Sequence, residues 1–189
     1  MGMPALPTDG WTVDMLATLP DDGNRYEIID GELLVTPAPS LIHQAAVLEL
    51  ALRLAPYVKN ARIGRVLISP ADVEIAHDTM LEPDLFVVPQ SEGRLPQKWR
   101  DASRLLLAVE VVSPASARAD RGRKRARYQR ERIPEYWIVD VDSRLVERWR
   151  PGDDRPEVLT TQLPWQPNPE GEPLSIDLVE YFRDVTGEQ

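Results

Sequence analysis

Apolar positions along this chain fall into short runs of strand period, interrupted by two stretches of helical period. Tyr26-Glu27-Ile28-Ile29 and Leu33-Leu34-Val35 flank Asp30-Gly31, and an Asp-Gly pair between apolar runs predicts a β-hairpin. Arg65–Ile68, Asp72–Ile75 and Leu85–Val88 read as further strands, with an interruption at Pro70 and a turn at His77-Asp78-Thr79. Leu105–Val112 is the most hydrophobic run and predicts a central strand. Tyr136–Val141 and Leu145–Arg150 follow as strands around the turn Asp142-Ser143. Helical period appears at Trp11–Leu19, with Thr8 or Asp9 as its cap, and at Leu41–Ala55 behind the cap Ser40. In the second of these, Leu41, Ala45, Leu48, Leu52 and Ala55 recur at helical spacing and predict the buried stripe. Pro56 is expected to limit that helix.

Gln90–Ser103 reads as a polar loop, and Arg118–Glu131 as a basic helix ended by Ile133-Pro134. A helix between two apolar strands is a crossover, and crossovers join parallel strands. Six prolines between Pro151 and Pro173 leave room only for loop and a short edge strand at Val158–Thr161. Leu174–Phe182 closes the chain as a strand or short helix. The expected fold is α/β with a mixed sheet. It forms one domain over 1–189, with a core at about 26–150 and a Pro-rich extension at 151–189 packed on it.

Composition narrows the chemistry. Apolar content of 42% and charged content of 28% suit a folded domain with a core. The absence of cysteine excludes disulfides, thiolate metal sites and a cysteine nucleophile. The two histidines, His43 and His77, argue against a histidine-rich zinc site. A metal here takes oxygen ligands, which suits magnesium or manganese. No apolar run reaches the roughly 18 residues of a membrane helix, and Met1–Asp9 lacks the pattern of a signal peptide. The expectation is a cytoplasmic protein with no membrane partner.

Net charge is −9, yet residues 118–132 carry eight Lys/Arg against two acids, a local +6. Such a patch is compatible with a phosphate-bearing substrate.

Two carboxylates stand out. Glu110 lies inside Leu105–Val112, where a bare charge must be paired, protonated or metal-bound. Asp84 follows Pro83 at the head of Leu85–Val88; it reads equally as a solvent-facing residue at a strand start. Asp120, Lys124 and Tyr128 share one helix face directly after the Glu110 strand, although most charge runs are solvated faces. Two carboxylates can fix a divalent ion against a phosphate oxygen and a water, with a lysine to orient that water or neutralise charge. The backbone carbonyl of Val111 is a further candidate ligand.

These residues carry a family resemblance. Tyr26–Leu33, Pro39-Ser40 with His43, Glu82–Leu85, Val109–Ser116, then Asp120, Lys124, Tyr128 and Ile133–Asp140 resemble the Uma2 family of the PD-(D/E)XK nuclease superfamily. The likeness covers about Tyr26–Arg150. It implies a restriction-endonuclease-like core of helix, three strands, helix and strand, with an N-terminal hairpin and extra C-terminal strands. It implies a magnesium- or manganese-dependent DNA endonuclease, with Asp84 and Glu110 as metal ligands, Lys124 as the catalytic cation, and DNA as the partner. Superfamily nucleases often pair up to cut both strands, so a homodimer is the further implication. Glu32 and His43 match family positions and join the catalytic candidates. Glu32 also reads as a strand-end surface residue, and His43 as a capping or packing histidine. Tyr128 and Ser113 match the pattern too, and Asp72 and Glu74 share a strand face.

One departure matters. The superfamily often places lysine two residues after the second acid, where this chain has Val112. That keeps a second reading open: a catalytically weak or silent nuclease-fold module binding nucleic acid or protein. A two-carboxylate glycosidase fits less well, because 6% aromatic residues give little to line a sugar cleft.

Overall fold

The computed structural model describes residues 10–90, 94 and 105–188. The expected cap at Thr8 or Asp9 and nearly all of the polar loop Gln90–Ser103 lie outside the described residues. After a short helix α1 (Val13–Leu16), strands β1 (Arg25–Ile29) and β2 (Glu32–Thr36) form the predicted hairpin. Asp30 (φ 52°) and Gly31 (φ 77°) take the left-handed pair of angles that a tight two-residue hairpin turn requires.

Helix α2 (Leu41–Asn60) leads into β3 (Gly64–Ile68), β4 (Val73–Ala76), β5 (Thr79–Leu81) and β6 (Leu85–Pro89). The central strand β7 (Leu107–Val111) is followed by a helical crossover made of α3 (Ala117–Ala119), a π-helical turn (Asp120–Lys124) and α4 (Arg125–Arg130). Strands β8 (Tyr136–Asp140), β9 (Leu145–Trp149), β10 (Glu157–Leu159), β11 (Gln162–Trp165) and β12 (Leu174–Asp177) precede α5 (Leu178–Thr186).

A six-stranded sheet, ordered β10-β9-β8-β7-β6-β3, is the centre of the α/β fold. The β7–β8 pair is parallel, as the crossover requires, and every other pair in it is antiparallel. A four-stranded sheet, β2-β1-β5-β4, and a two-stranded sheet, β11-β12, accompany it.

Strand alternation divides the core into two halves. Leu85, Val87, Leu107, Val109, Trp137 and Val139 point one way, into α2 and α5. Phe86, Val88, Ala108, Tyr136 and Ile138 point the other way, into Tyr128 of the crossover and Ile29, Val73 and Leu81 of the smaller sheet. The C-terminal Leu163, Trp165, Ile176 and Tyr181 belong to the first half, and Tyr181 Oη donates to the Ala46 carbonyl at 2.9 Å. No helix among the described residues is long and apolar enough to cross a membrane.

Several elements differ from the sequence expectation. Helix α2 buries Ala46, Val47, Leu50, Leu54 and Val58, on the face opposite the predicted stripe. Leu41, Leu48 and Leu52 are 81%, 54% and 58% exposed. Both faces of this helix are apolar, so periodicity alone finds two stripes and cannot choose between them. The helix also runs through Pro56 to Asn60. Leu52 and Pro56 are on the exposed side, where the carbonyl left without an N–H donor can meet water. Helix α1 is only one turn long. Thr79, expected in a turn, opens strand β5. Pro164 sits inside β11, in a two-stranded sheet where each strand has a free edge. The C-terminal segment is a strand and a helix in succession, with Asp177 capping α5 through a bond from the Glu180 N–H at 2.9 Å.

Candidate active site

Register brings the two predicted acids together. Strands β6 and β7 pair Phe86 with Ala108 and Leu85 with Val109; the next position on each strand carries Asp84 and Glu110. Both side chains share the parity of Phe86 and Ala108, so both face the crossover and the smaller sheet. Both are 2% exposed.

Asp84 is held by three donors. Its Oδ1 accepts from Arg25 Nη1 at 2.8 Å. Its Oδ2 accepts from the Val111 N–H at 2.8 Å and meets His43 Nε2 at 3.0 Å. Burial works against ionisation of Asp84, but the His43 hydrogen bond and the charges of Arg25, His43 and Lys124 outweigh it and hold the carboxyl down at about 2. Since the carboxylate can only accept, the Nε2 of His43 carries the proton of that bond. The ring is placed by local chemistry: Ser40 caps α2 by accepting the His43 N–H at 3.2 Å, which fixes the first turn beside Asp84.

Glu110 takes the opposite course. Its Oε1 accepts from Lys124 Nζ at 3.0 Å and from Tyr128 Oη at 3.2 Å. Full burial nevertheless pushes its carboxyl well above the usual range, against the pull of Lys124 and with help from Asp84, Asp120 and Glu27. Lys124 Nζ is also 2.8 Å from Glu27 Oε2, in an ion pair off the hydrogen-bonding direction, and 3.7 Å from Asp120 Oδ1. Burial alone would lower the lysine pKa; Glu110, Glu27, Asp120 and Asp84 more than reverse it, so the ammonium stays protonated.

Lys124 reaches this space from the π-helical turn. An extra residue per turn is a feature often found at functional sites. Here the turn begins at Asp120 and ends at Lys124, and both are buried toward the acids while Gly122 and Arg123 remain on the outside. Val112, two residues after Glu110, packs beside the second half of the core.

A hollow of about 290 Å³ opens here, lined by Arg25, Glu27, His43, Asp84, Glu110 and Lys124, with Val111, Ser113 and the segment 36–40 at its margins. Of the predicted residues, the structure therefore brings together Asp84, Glu110, Lys124, His43 and Val111. It does not bring in Glu32. That side chain is 71% exposed on β2 and pairs with Arg123 outside the hollow, because it follows the hairpin turn on the outer side of the strand. Tyr128 touches Glu110, as above; Asp72 and Glu74 do not line the hollow.

Two residues at the site were missed, and a third, Asp120, was placed on the Lys124 face but not among the site candidates. Glu27 and Arg25 come from β1, and Asp120 from the π-helical turn. Glu27 had a legible signal, a carboxylate between Tyr26 and Ile28-Ile29, of the same kind that singled out Glu110. Asp120 is 1% exposed, and neither of its carboxylate oxygens has a hydrogen-bond partner among the described residues. Burial pushes its carboxyl up to about 6, against the pull of Lys124 and of the nearby Ser116, with Asp84 and Glu27 adding to the rise.

The predicted basic patch is largely neutralised. Arg121 pairs with Asp140 and Glu147, at 2.8 and 2.6 Å. Arg127 and Arg130 pair with Asp30, at 2.5 and 2.6 Å, and Arg123 with Glu32. Most of the local +6 thus clamps the crossover to the hairpin and to β8–β9.

The charge of the hollow bears on a metal. Glu27, Asp84, Glu110 and Asp120 are four buried acids facing two permanent cations, Arg25 and Lys124. Fully ionised, the cluster lacks two positive charges, and the orphaned Asp120 carboxylate reflects the same deficit. Protons on Glu110 and Asp120, whose carboxyls are pushed up, or one divalent cation would supply that charge, and an all-oxygen donor set suits a hard ion. No group of three or more His, Cys, Asp or Glu side chains placed to hold a metal occurs among the described residues. Two acids plus backbone oxygen or water are therefore what the site offers.

Comparison with known proteins agrees with this architecture. A sequence model of the Uma2 family, described as "Putative restriction endonuclease", matches residues 13–181. The chain belongs to the Uma2 family. Among solved structures, the crystal structure of a "putative nuclease belonging to DUF820" from Anabaena variabilis superposes with a TM-score of 0.74 at 20% identity, over 93% of this chain and 99% of that one. At that identity the match speaks for the fold. No curated protein matches the chain. Family membership makes this a nuclease-family chain, with nucleic acid as the family's substrate class.

Proposed function

We propose that this Uma2 chain is a divalent-metal-dependent endonuclease that hydrolyses phosphodiester bonds in DNA. The observation that supports it is the charge-deficient hollow in which Asp84, Glu110 and Lys124 converge, within a fold of nuclease type. Asp84, Glu110 and the Val111 carbonyl are the residues that would hold magnesium or manganese. Bound there, the cation supplies Lewis-acid stabilisation of the phosphoryl oxygens and a more acidic water.

The chain's own residues have distinct tasks in this reading. The acids around Lys124 favour its ammonium form, which offsets the charge that builds on the phosphate. Tyr128 and Lys124 together fix the Glu110 carboxylate. His43 and the Val111 N–H orient Asp84. Arg25, half in the hollow, is the second cation available to a phosphate oxygen.

Incubation of supercoiled plasmid with the protein and manganese or magnesium tests this. Nicking or linearisation is expected, with loss in Glu110→Gln at unchanged circular dichroism. Equal cleavage by that variant overturns the reading. A second reading has one specific observation in its favour: Asp84 already accepts three donors, as in a module that keeps the fold without the ion. Calorimetric titration showing no manganese binding in the millimolar range favours that alternative.

A further inference from the structure

A second groove adjoins the first. Ala115 lines both, so the groove lies next to the hollow, beside the π-helical turn. Its volume is about 630 Å³, and Glu32, Leu34, Arg118, Gly122 and Arg123 line it. Arg118 is exposed and has no ion-pair partner among the described residues. Arg123 is bound by Glu32, and both side chains of that pair are open to solvent, at 45% and 71%. An exposed pair of this kind is weak and exchanges readily for a stronger anion. Gly122 leaves the floor open, since a Cβ built on it meets no atom within 4 Å.

The contrast with the neighbouring arginines is informative. Arg121 and Arg127 are committed to Asp140, Glu147 and Asp30. Arg118 has no ion pair among the described residues, and Arg123 is lightly held, as is Arg130 in its exposed pair with Asp30; of these three, Arg118 and Arg123 flank the groove. Guanidinium groups match phosphate in shape and bind it with paired hydrogen bonds.

We infer that this groove seats the phosphodiester backbone of the nucleic-acid strand next to the scissile phosphate. Arg118 and Arg123 are its phosphate contacts. Glu32 is the anion that occupies Arg123 until a phosphate displaces it. The inference rests on the nuclease reading and assigns Glu32 to substrate admission.

The test is binding of a fluorescent 20-nucleotide single-stranded DNA by the full-length protein in EDTA, across a series of salt concentrations. Arg118→Gln and Arg123→Gln each flatten the log–log salt slope by about 0.7, which is about fivefold in affinity at 0.1 M salt. Gly122→Glu places a carboxylate in open space and weakens binding without a steric penalty. Glu32→Gln releases Arg123 and tightens binding. Unchanged slopes in both arginine variants, with Gly122→Glu binding as the parent does, overturn the inference. Cleavage of the same oligonucleotide with manganese, run in parallel, separates the two readings. Cleavage with unchanged slopes removes the groove alone; arginine-dependent binding without cleavage removes the nuclease reading alone.

Discussion

The ammonium of Lys124 lies 2.8 Å from the carboxylate of Glu27, which belongs to the hairpin of the smaller sheet. Strand β1 and the crossover are thereby joined at the bottom of the hollow. The same nitrogen touches Glu110 of the central sheet, so one lysine links three elements.

That lysine is the centre of the site's electrostatics, and its removal should be far more damaging than loss of any single acid. Lys124→Met leaves Glu27, Glu110 and Asp120 facing one another, an uncompensated buried charge that costs about 3–5 kcal/mol. Glu27→Gln leaves two acids on the lysine and relieves repulsion in an acid-rich cluster; its effect is expected within about 1 kcal/mol of neutral. Urea unfolding in metal-free buffer at pH 7 compares the two. Equal losses would refute the surplus of negative charge.

The burial of α2 gives a second contrast. Leu54 is fully buried and Leu48 is half exposed. Leu54→Ala should lower stability by about 2–5 kcal/mol, and Leu48→Ala by less than about 0.5 kcal/mol. The opposite order in thermal or urea melts would put the other stripe inside.

Asp120 sets a pH dependence. Its folded pKa, about 6, lies above its ordinary 3.8. Between those values the folded protein holds more protons than the unfolded chain, so this group's contribution to stability is present below about pH 4 and is lost as pH rises to about 6. Asp120→Asn cannot ionise. It should flatten the fall in stability over that window, and above pH 6 it should be more stable than the parent by up to about 3 kcal/mol. Unfolding midpoints from pH 4 to 8 measure the difference; parallel curves for the two proteins would contradict the shift.

Much of this architecture was legible in the residues. The Asp30-Gly31 turn, the apolar run around Glu110 and the helix between two parallel strands each carry a local signal strong enough to survive tertiary packing. Asp84 and Glu110 could be named because carboxylates in strand-like apolar runs are conspicuous, and Lys124 because it shares a helix face with Asp120 and Tyr128 directly after the Glu110 strand and matches the family pattern. What the chain did not disclose was a matter of long-range geometry. Which of two apolar faces α2 buries depends on the sheet it meets. Whether the arginines of the crossover stay free depends on Asp30, Asp140 and Glu147, which are distant in sequence. Glu32 and Glu27 both sit on the hairpin, on opposite sides of the turn, and only the pairing of β1 with β5 and the reach of Lys124 decide that Glu27 enters the site. The π-helical turn leaves no pattern in composition or period.

The central claim is that one divalent cation joins Asp84 and Glu110. Crystals of the protein soaked in manganese, with anomalous diffraction recorded at the manganese edge, test it most directly. The account predicts a single anomalous peak in the hollow, within coordination distance of a carboxylate oxygen of each acid. A hollow without a peak at saturating manganese, or a peak that contacts neither Asp84 nor Glu110, would contradict it.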